Sequence, residues 1–252
     1  SAAPGKNKQL GRQSHSPTTT RVLNQASQNG FALTTYILLG IPGHTLADML
    51  NSIAYLADQP TMIGPSIFYP SPGTQLYDEL DAAELRLPGH EILLRSSAFA
   101  VETQDFCRLD MVTLLRFVRW INFIKRHLLD QQQERCSLSE LRNEARAWWP
   151  DQIPHAAGSR ADGWFFNSDE ALCAPAAGRI ASAFLCKYDM FYTIRRVRNP
   201  NKNLYTYHIS PCATSKRVMD EINTLSADAT TITAARIKPV GHGSRKINHV
   251  YH

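Results

Sequence analysis

Apolar and polar positions repeat along the chain with two different periods, and the change of period marks out the first elements. Ser16 is a suitable helix N-cap, Pro17 suits the first helical position, and Gly30 suits a left-handed residue beyond the last turn. A helix is predicted between them, with Val22, Leu23 and Ala26 turned inward. From Phe31 to Leu39 the pattern is that of a strand, and its second half, Tyr36 to Leu39, is apolar on both faces. A strand reads this way when helices cover both sides of a parallel sheet. Gly40-Ile41-Pro42-Gly43 predicts a tight turn. Thr45 then serves as N-cap, with Asp48 three residues on, and Leu46, Met49, Leu50, Ile53 and Leu56 recur at helical spacing through Ala57. After Pro60 a second strand, Ile63 to Tyr69, closes a strand–helix–strand unit, which is expected to be a right-handed parallel crossover.

Beyond the Pro70-Ser71-Pro72-Gly73-Thr74 turn this alternation stops, and Leu87-Pro88-Gly89 marks a boundary. Asp110 is expected to cap a long helix whose buried stripe is Met111, Leu114, Leu115, Val118, Ile121 and Leu128. Ser137 and Glu140 form a capping box for a helix that runs to Trp149 and stops at Pro150. Trp120, Trp148 and Trp149 read as core residues. Residues 151–163 read as a linker, followed by a short helix near Ala171–Ala183. Asp189–Val197 and Leu204–Ile209 read as two strands of a hairpin across Asn199–Asn203. A helix over Ser215–Leu225 is expected to pack on that hairpin through Val218, Met219, Ile222 and Leu225, and the chain beyond Asp228 is expected to be loose. No repeat of 20–50 residues is visible.

Charge changes this picture little. The 252 residues carry 27 Lys+Arg and 22 Asp+Glu, a net of +5. Residues 1–47 hold Lys6, Lys8, Arg12 and Arg21 with no acid, and residues 229–252 hold Arg236, Lys238, Arg245 and Lys246 with no acid. The stretch between them is net acidic, so a uniformly basic nucleic-acid-binding domain is not described. The longest apolar runs fall far short of a bilayer span. No signal peptide opens the chain, so a cytoplasmic protein is expected; the polar, non-methionine start reads as a piece of something longer. The five cysteines, Cys107, Cys136, Cys173, Cys186 and Cys212, lack zinc or disulfide-framework spacing and read as reduced, mostly buried thiols. His127, His155 and His242 have no ligand partners at helical spacing.

Candidate chemistry concentrates in the two turns that follow the strands. Loops at the carboxyl ends of parallel strands present free backbone groups and helix N-termini, and small ligands bind there. Gly40 and Gly43 allow close backbone approach, with a helix start immediately behind. Arg12, a helix, a strand ending in Ile37–Thr45, an amphipathic helix, and a strand ending in Pro70–Tyr77 occur in an order that resembles the later part of the radical S-adenosylmethionine enzyme domain. The resemblance covers about residues 10–80.

That resemblance implies an α/β fold: residues 1–82 as the C-terminal part of a partial (β/α) barrel with parallel strands, its fifth and sixth. A helical extension over 83–150, a linker over 151–163, a small α+β accessory region over 164–228 and a basic tail over 229–252 would follow. The implied cofactors are S-adenosylmethionine and a [4Fe-4S] cluster, which together yield a 5′-deoxyadenosyl radical that abstracts hydrogen from substrate. Gly40, Ile41, Pro42 and Gly43 would lie beside the adenosyl group with Ile41 as apolar cover, Tyr69 and Pro70 would complete the pocket, and Arg12 would pair with the methionyl carboxylate. The departure from the family is the absence of a CxxxCxxC loop, which supplies the three cluster thiolates. The expectation is therefore a C-terminal fragment, inactive alone, of a radical enzyme of unread substrate. The alternative of a different class is a non-catalytic module binding RNA or another polyanion through its basic ends and Arg195, Arg196 and Arg198, although no nucleic-acid-binding motif is present.

Overall fold

The structure is a computed structural model and describes residues 16–82, 99, 101–144, 164–169, 182, 185–186, 188–198, 204–227 and 230–236. Arg12, the 87–89 boundary, the helix end at Trp149, the 151–163 linker, most of the 171–183 helix and the tail beyond residue 236 lie outside the described residues. The chain divides into two compact units, Ser1–Cys136 with Ser215–Lys238, and Ser137–Thr214 with Pro239–His252. Among the described residues the architecture is mixed α/β with sheets of two, two and three strands and no closed barrel.

In the first unit, helix α1 (Ser16–Gln28) leads through Gly30, at φ +83°, into strand β1 (Thr34–Leu39). Helix α2 (Leu46–Ala57) returns the chain to strand β2 (Met62–Ile67), which pairs parallel to β1 in the register Thr35 to Ile63 and Leu39 to Ile67. Both strands are shorter than their apolar runs: Phe31 is left exposed, and the last ladder bond is Phe68 N–H to the Leu39 carbonyl at 2.8 Å. Helix α3 (Gln75–Ala82), which the sequence reading did not foresee, follows a turn in which the Thr74 hydroxyl donates to the Ser71 carbonyl and accepts from Tyr77 N–H. The long helix α4 (Arg108–Asp130) and strand β3 (Arg135–Ser137) complete this stretch.

Ile37, Leu39, Ile63 and Ile67 of the sheet are buried, with Leu50, Ile53, Met111, Leu114 and Ile121 of the helix layer. Each such side chain contributes about 1.5–3 kcal/mol on burial. Cover on both faces was expected for β1. Instead α2 and α4 pack on one face among the described residues, and the other, with Thr34, Tyr36 and Leu38, leaves Tyr36 75% exposed. Val22, expected inward, is 54% exposed, because nothing among the described residues packs beneath its side of α1.

Two further expectations are corrected. Asp110 is not the cap of α4: Cys107 holds that position in extended geometry, and the Asp110 carboxylate, three residues in, accepts the Cys107 N–H at 2.8 Å. Helix α5 (Lys216–Ala227) does not pack on the hairpin. It belongs to the first unit and packs against α2 and α4 through Val218, Met219 and Ile222. The reason is polar anchoring: Ser215 N–H donates to the Thr113 hydroxyl at 2.9 Å, and the Ser215 hydroxyl and the Arg217 guanidinium both donate to Asp110. The segment beyond it, expected to be loose, includes strand β7 (Thr231–Thr233), which pairs with β3.

In the second unit, strands β4 (Trp164–Asp169), β5 (Tyr192–Arg198) and β6 (Leu204–Pro211) form an antiparallel sheet in the order β4-β6-β5. The expected hairpin is its β5–β6 pair. The Ser137–Glu140 capping box forms, and Arg142 donates to Asp189 at 2.6 Å. Ile209, Phe191 and Cys212 are buried.

Candidate functional site

The crossover brings the two turns together. β1 and β2 are parallel neighbours, so Gly40–Gly43 and Pro70–Thr74 both lie at the carboxyl end of the sheet. Gly40 and Gly43 have φ of +74° and +78°, a region in which an L side chain is strained, so both turn residues require glycine. Their surroundings differ. Gly40 is buried; its N–H points at the Met49 sulfur, and an added Cβ would lie 3.0 Å from Met111 Cε and 3.6 Å from the Phe106 ring. The close approach that Gly40 permits is thus used by α4. Gly43 is exposed, Pro42 is half-buried and Ile41 is buried, so Ile41 contributes to the core rather than presenting a surface. On the second strand Tyr69 is 42% exposed and Pro70 is buried.

The helix start behind Gly43 is well formed. The Thr45 hydroxyl accepts Asp48 N–H and the Asp48 carboxylate accepts Thr45 N–H, both at 3.1 Å. This end of α2 opens into a cleft of about 440 Å³ lined by Thr45, Leu46, Ala47, Gln104, Asp105, Arg217, Asp220 and Glu221. A helix N-terminus favours an anion, but three carboxylates share the cleft with a single guanidinium, which is engaged by Asp110. The cleft is polar, open and of mixed charge.

Asp110 is 1% exposed. Burial pushes its carboxyl up, but the bonds from Ser215, from Cys107 N–H and from Arg217 together outweigh this and hold it below the ordinary aspartate value. Arg217 is correspondingly raised by its bond to Asp110. The sequence reading treated Asp110 as a simple cap, and nothing in its spacing points to residues more than 100 positions away.

Two further polar residues were missed. Lys125 is fully buried, and its ammonium donates to the carbonyls of Ala57, Gln59 and Thr233 at 2.6, 2.7 and 3.0 Å. Burial pushes its pKa down to about 7 against the opposing pull of Asp58 and Cys136. Its position four residues after Ile121 and three before Leu128, on the buried stripe of α4, was the available signal. Asn122 binds the backbone of Ile63 at both ends: its amide oxygen accepts Ile63 N–H at 2.9 Å and its amide nitrogen donates to the Ile63 carbonyl at 2.8 Å.

Among the described residues no group of three His, Cys, Asp or Glu side chains is arranged to hold a metal ion, and no helix is long and apolar enough to cross a membrane. Cys186 and Cys212 are buried as free thiols, whereas Cys107 and Cys136 are partly exposed. Arg195 on β5 is exposed. Compared with known proteins, the chain matches no family, no curated protein and no solved structure.

Proposed function

We propose that this chain is the carboxyl-terminal part of a radical S-adenosylmethionine enzyme and that its share of the site is the carboxyl end of β1 and β2. The observation that supports this most is the joint placement of the Gly40–Gly43 and Pro70–Thr74 turns at one end of two hydrogen-bonded parallel strands. In such enzymes S-adenosylmethionine, held on a [4Fe-4S] cluster, supplies one-electron hydrogen abstraction. The residues here fit one component and not the other. For the cluster there is no CxxxCxxC loop and no metal-holding group among the described residues, so its ligands have to come from other polypeptide. For the adenosyl group, exposed Gly43, half-buried Pro42 and exposed Tyr69 would supply the contact surface, with Gly40, Ile41 and Pro70 buried behind them. The work of these residues is to bind and orient an apolar planar group and to exclude water from it.

The test is to express the reading frame extended upstream, reconstitute it anaerobically with iron and sulfide, and assay 5′-deoxyadenosine release from S-adenosylmethionine. The reading expects release that is weakened by Tyr69→Ala. A frame with no CxxxCxxC loop, or a reconstituted protein that leaves the cofactor intact, removes it. The 252-residue chain alone is expected to release none.

A further inference from the structure

Three carbonyls from two distant segments meet at the Lys125 ammonium. Ala57 and Gln59 lie at the end of α2, and Thr233 lies on β7. The bonds to Ala57 and Gln59 are buried, whereas the bond to Thr233 is only partly so, which makes β7 the side from which water can reach the ammonium. β7 is a short lid. It has three residues and packs against α2 and α4 through buried Ile232, and just beyond it Ala234 N–H donates to the Glu134 carbonyl at 2.8 Å.

The charge under this lid is held by dipoles. Lys125 is 0% exposed, and its partners are carbonyls rather than a carboxylate. Asp58, just past α2, and Cys136, on β3, pull on it across a gap. Arg135, the other ionisable residue of β3, is exposed, and Thr231, Ile232 and Thr233 of β7 carry no ionisable group. One turn away on α4, Ile121, Asn122, Leu128 and Leu129 are uncharged. An ammonium has a donor for each of the three carbonyls and a neutral amine has only two, so protonation gains one bond at the cost of burying a charge. The burial cost is the larger, and it brings the group down to about 7. Once β7 lifts, water replaces the cage and that cost disappears.

We propose that Lys125 is a proton-operated latch on β7, fastened while the amine is neutral and loosened when it takes up a proton. The closed form binds its proton less tightly than the open form, so between about 7 and 10.5 opening takes up a proton and becomes harder as pH rises. Below 7 both forms are charged and opening no longer depends on pH. From pH 7 to 9 the opening equilibrium should fall by about 50-fold.

Amide hydrogen exchange at Ala234, whose N–H is released when β7 leaves Glu134, tests the latch. In the wild type Ala234 is expected to be less protected than Ile121 in the core of the same unit, so that its opening is local. Its protection factor, corrected for the base-catalysed exchange rate, should rise by about 50-fold from pH 7 to 9. In Lys125→Met it should not change with pH, and in Cys136→Ser, which removes a second group titrating in this range, the rise should persist. Four results overturn the proposal: Ala234 as protected as Ile121 at every pH, a flat profile in the wild type, the same rise in Lys125→Met, or its loss in Cys136→Ser. Should Lys125→Met not fold, the wild type and Cys136→Ser decide the matter by themselves.

Discussion

Lys125→Met separates the two opposing effects of a buried ammonium. Methionine keeps the unbranched stem in the α4 stripe but removes the three donors that Ala57, Gln59 and Thr233 now share. Leaving buried acceptors unpaired costs about 1–3 kcal/mol each. Against that, a lysine pKa lowered from 10.5 to about 7 means that folding opposes the charge by about 5 kcal/mol at low pH, at 1.36 kcal/mol per unit. The three acceptors together cost about 3–9 kcal/mol, which brackets the opposing effect, so the variant is expected to lie within about 4 kcal/mol of the wild type at pH 7. The pH dependence does not cancel. The folded pKa lies below the unfolded one, so between about 7 and 10.5 the unfolded chain binds one proton more than the folded chain, and stability rises with pH. Below pH 7 both forms are charged and the slope vanishes. From pH 7 to 9 the wild type should therefore gain roughly 2 kcal/mol over Lys125→Met. Urea unfolding read at the amides of Leu50 and Ile121 reports the first unit alone, and other titrating groups drop out of the difference between the two proteins. Parallel stability curves for the two proteins across this range would refute the reasoning.

Other predictions follow from the same contacts. Asp110→Asn removes the charge that anchors Ser215 and Arg217, and should cost about 2–4 kcal/mol while loosening α5, seen as faster exchange at Met219 and Ile222. Because the Asp110 pKa is lowered, its stabilisation is complete above the ordinary aspartate value and is lost as pH falls through the folded one. Melting temperatures of the wild type and Asp110→Asn should accordingly converge in acid, and a constant gap would contradict this. Gly40→Ala combines a strained φ of +74° with a 3.0 Å approach to Met111, and should cost about 1–3 kcal/mol. A double-mutant cycle with Met111→Ala should recover the contact portion only, and full additivity would show that Met111 plays no part. Gly64→Ala brings a Cβ within 2.7 Å of the Tyr36 ring, which lies on an open face and can swing away, so a loss under about 1.5 kcal/mol is expected together with changed Tyr36 ring resonances.

Local features were legible where the signal is local. The Thr45–Asp48 and Ser137–Glu140 boxes, the left-handed Gly30 and the Gly40–Gly43 turn follow from spacings of a few residues, and the parallel crossover from the order strand, helix, strand. What was missed depends on partners far apart in sequence. α5 has the pattern of an amphipathic helix, which states that it packs but not on what; the choice of α2 and α4 is made by Asp110 and Thr113. The apolar run through β1 marked a strand but not its one-sided cover, because periodicity does not tell which faces are covered. Of the candidate site, the two turns were found from their glycines and prolines. The division of labour between Gly40, packed under Met111, and Gly43, which is exposed, depends on where α4 lies.

The first unit is discontinuous: Ser137–Thr214 intervene between α4 with β3 and the segment carrying α5 and β7. This has a consequence for synthesis. At about 5–20 residues per second, the intervening stretch takes roughly 4–16 s to translate, and Thr233, the third acceptor of Lys125, emerges later still. Throughout that interval the apolar surfaces of α2 and α4 that receive Val218, Met219 and Ile222 lack the cover of α5. The nascent chain thus presents a hydrophobic groove on the ribosome for seconds, long enough for a chaperone to engage it before the closing helix arrives.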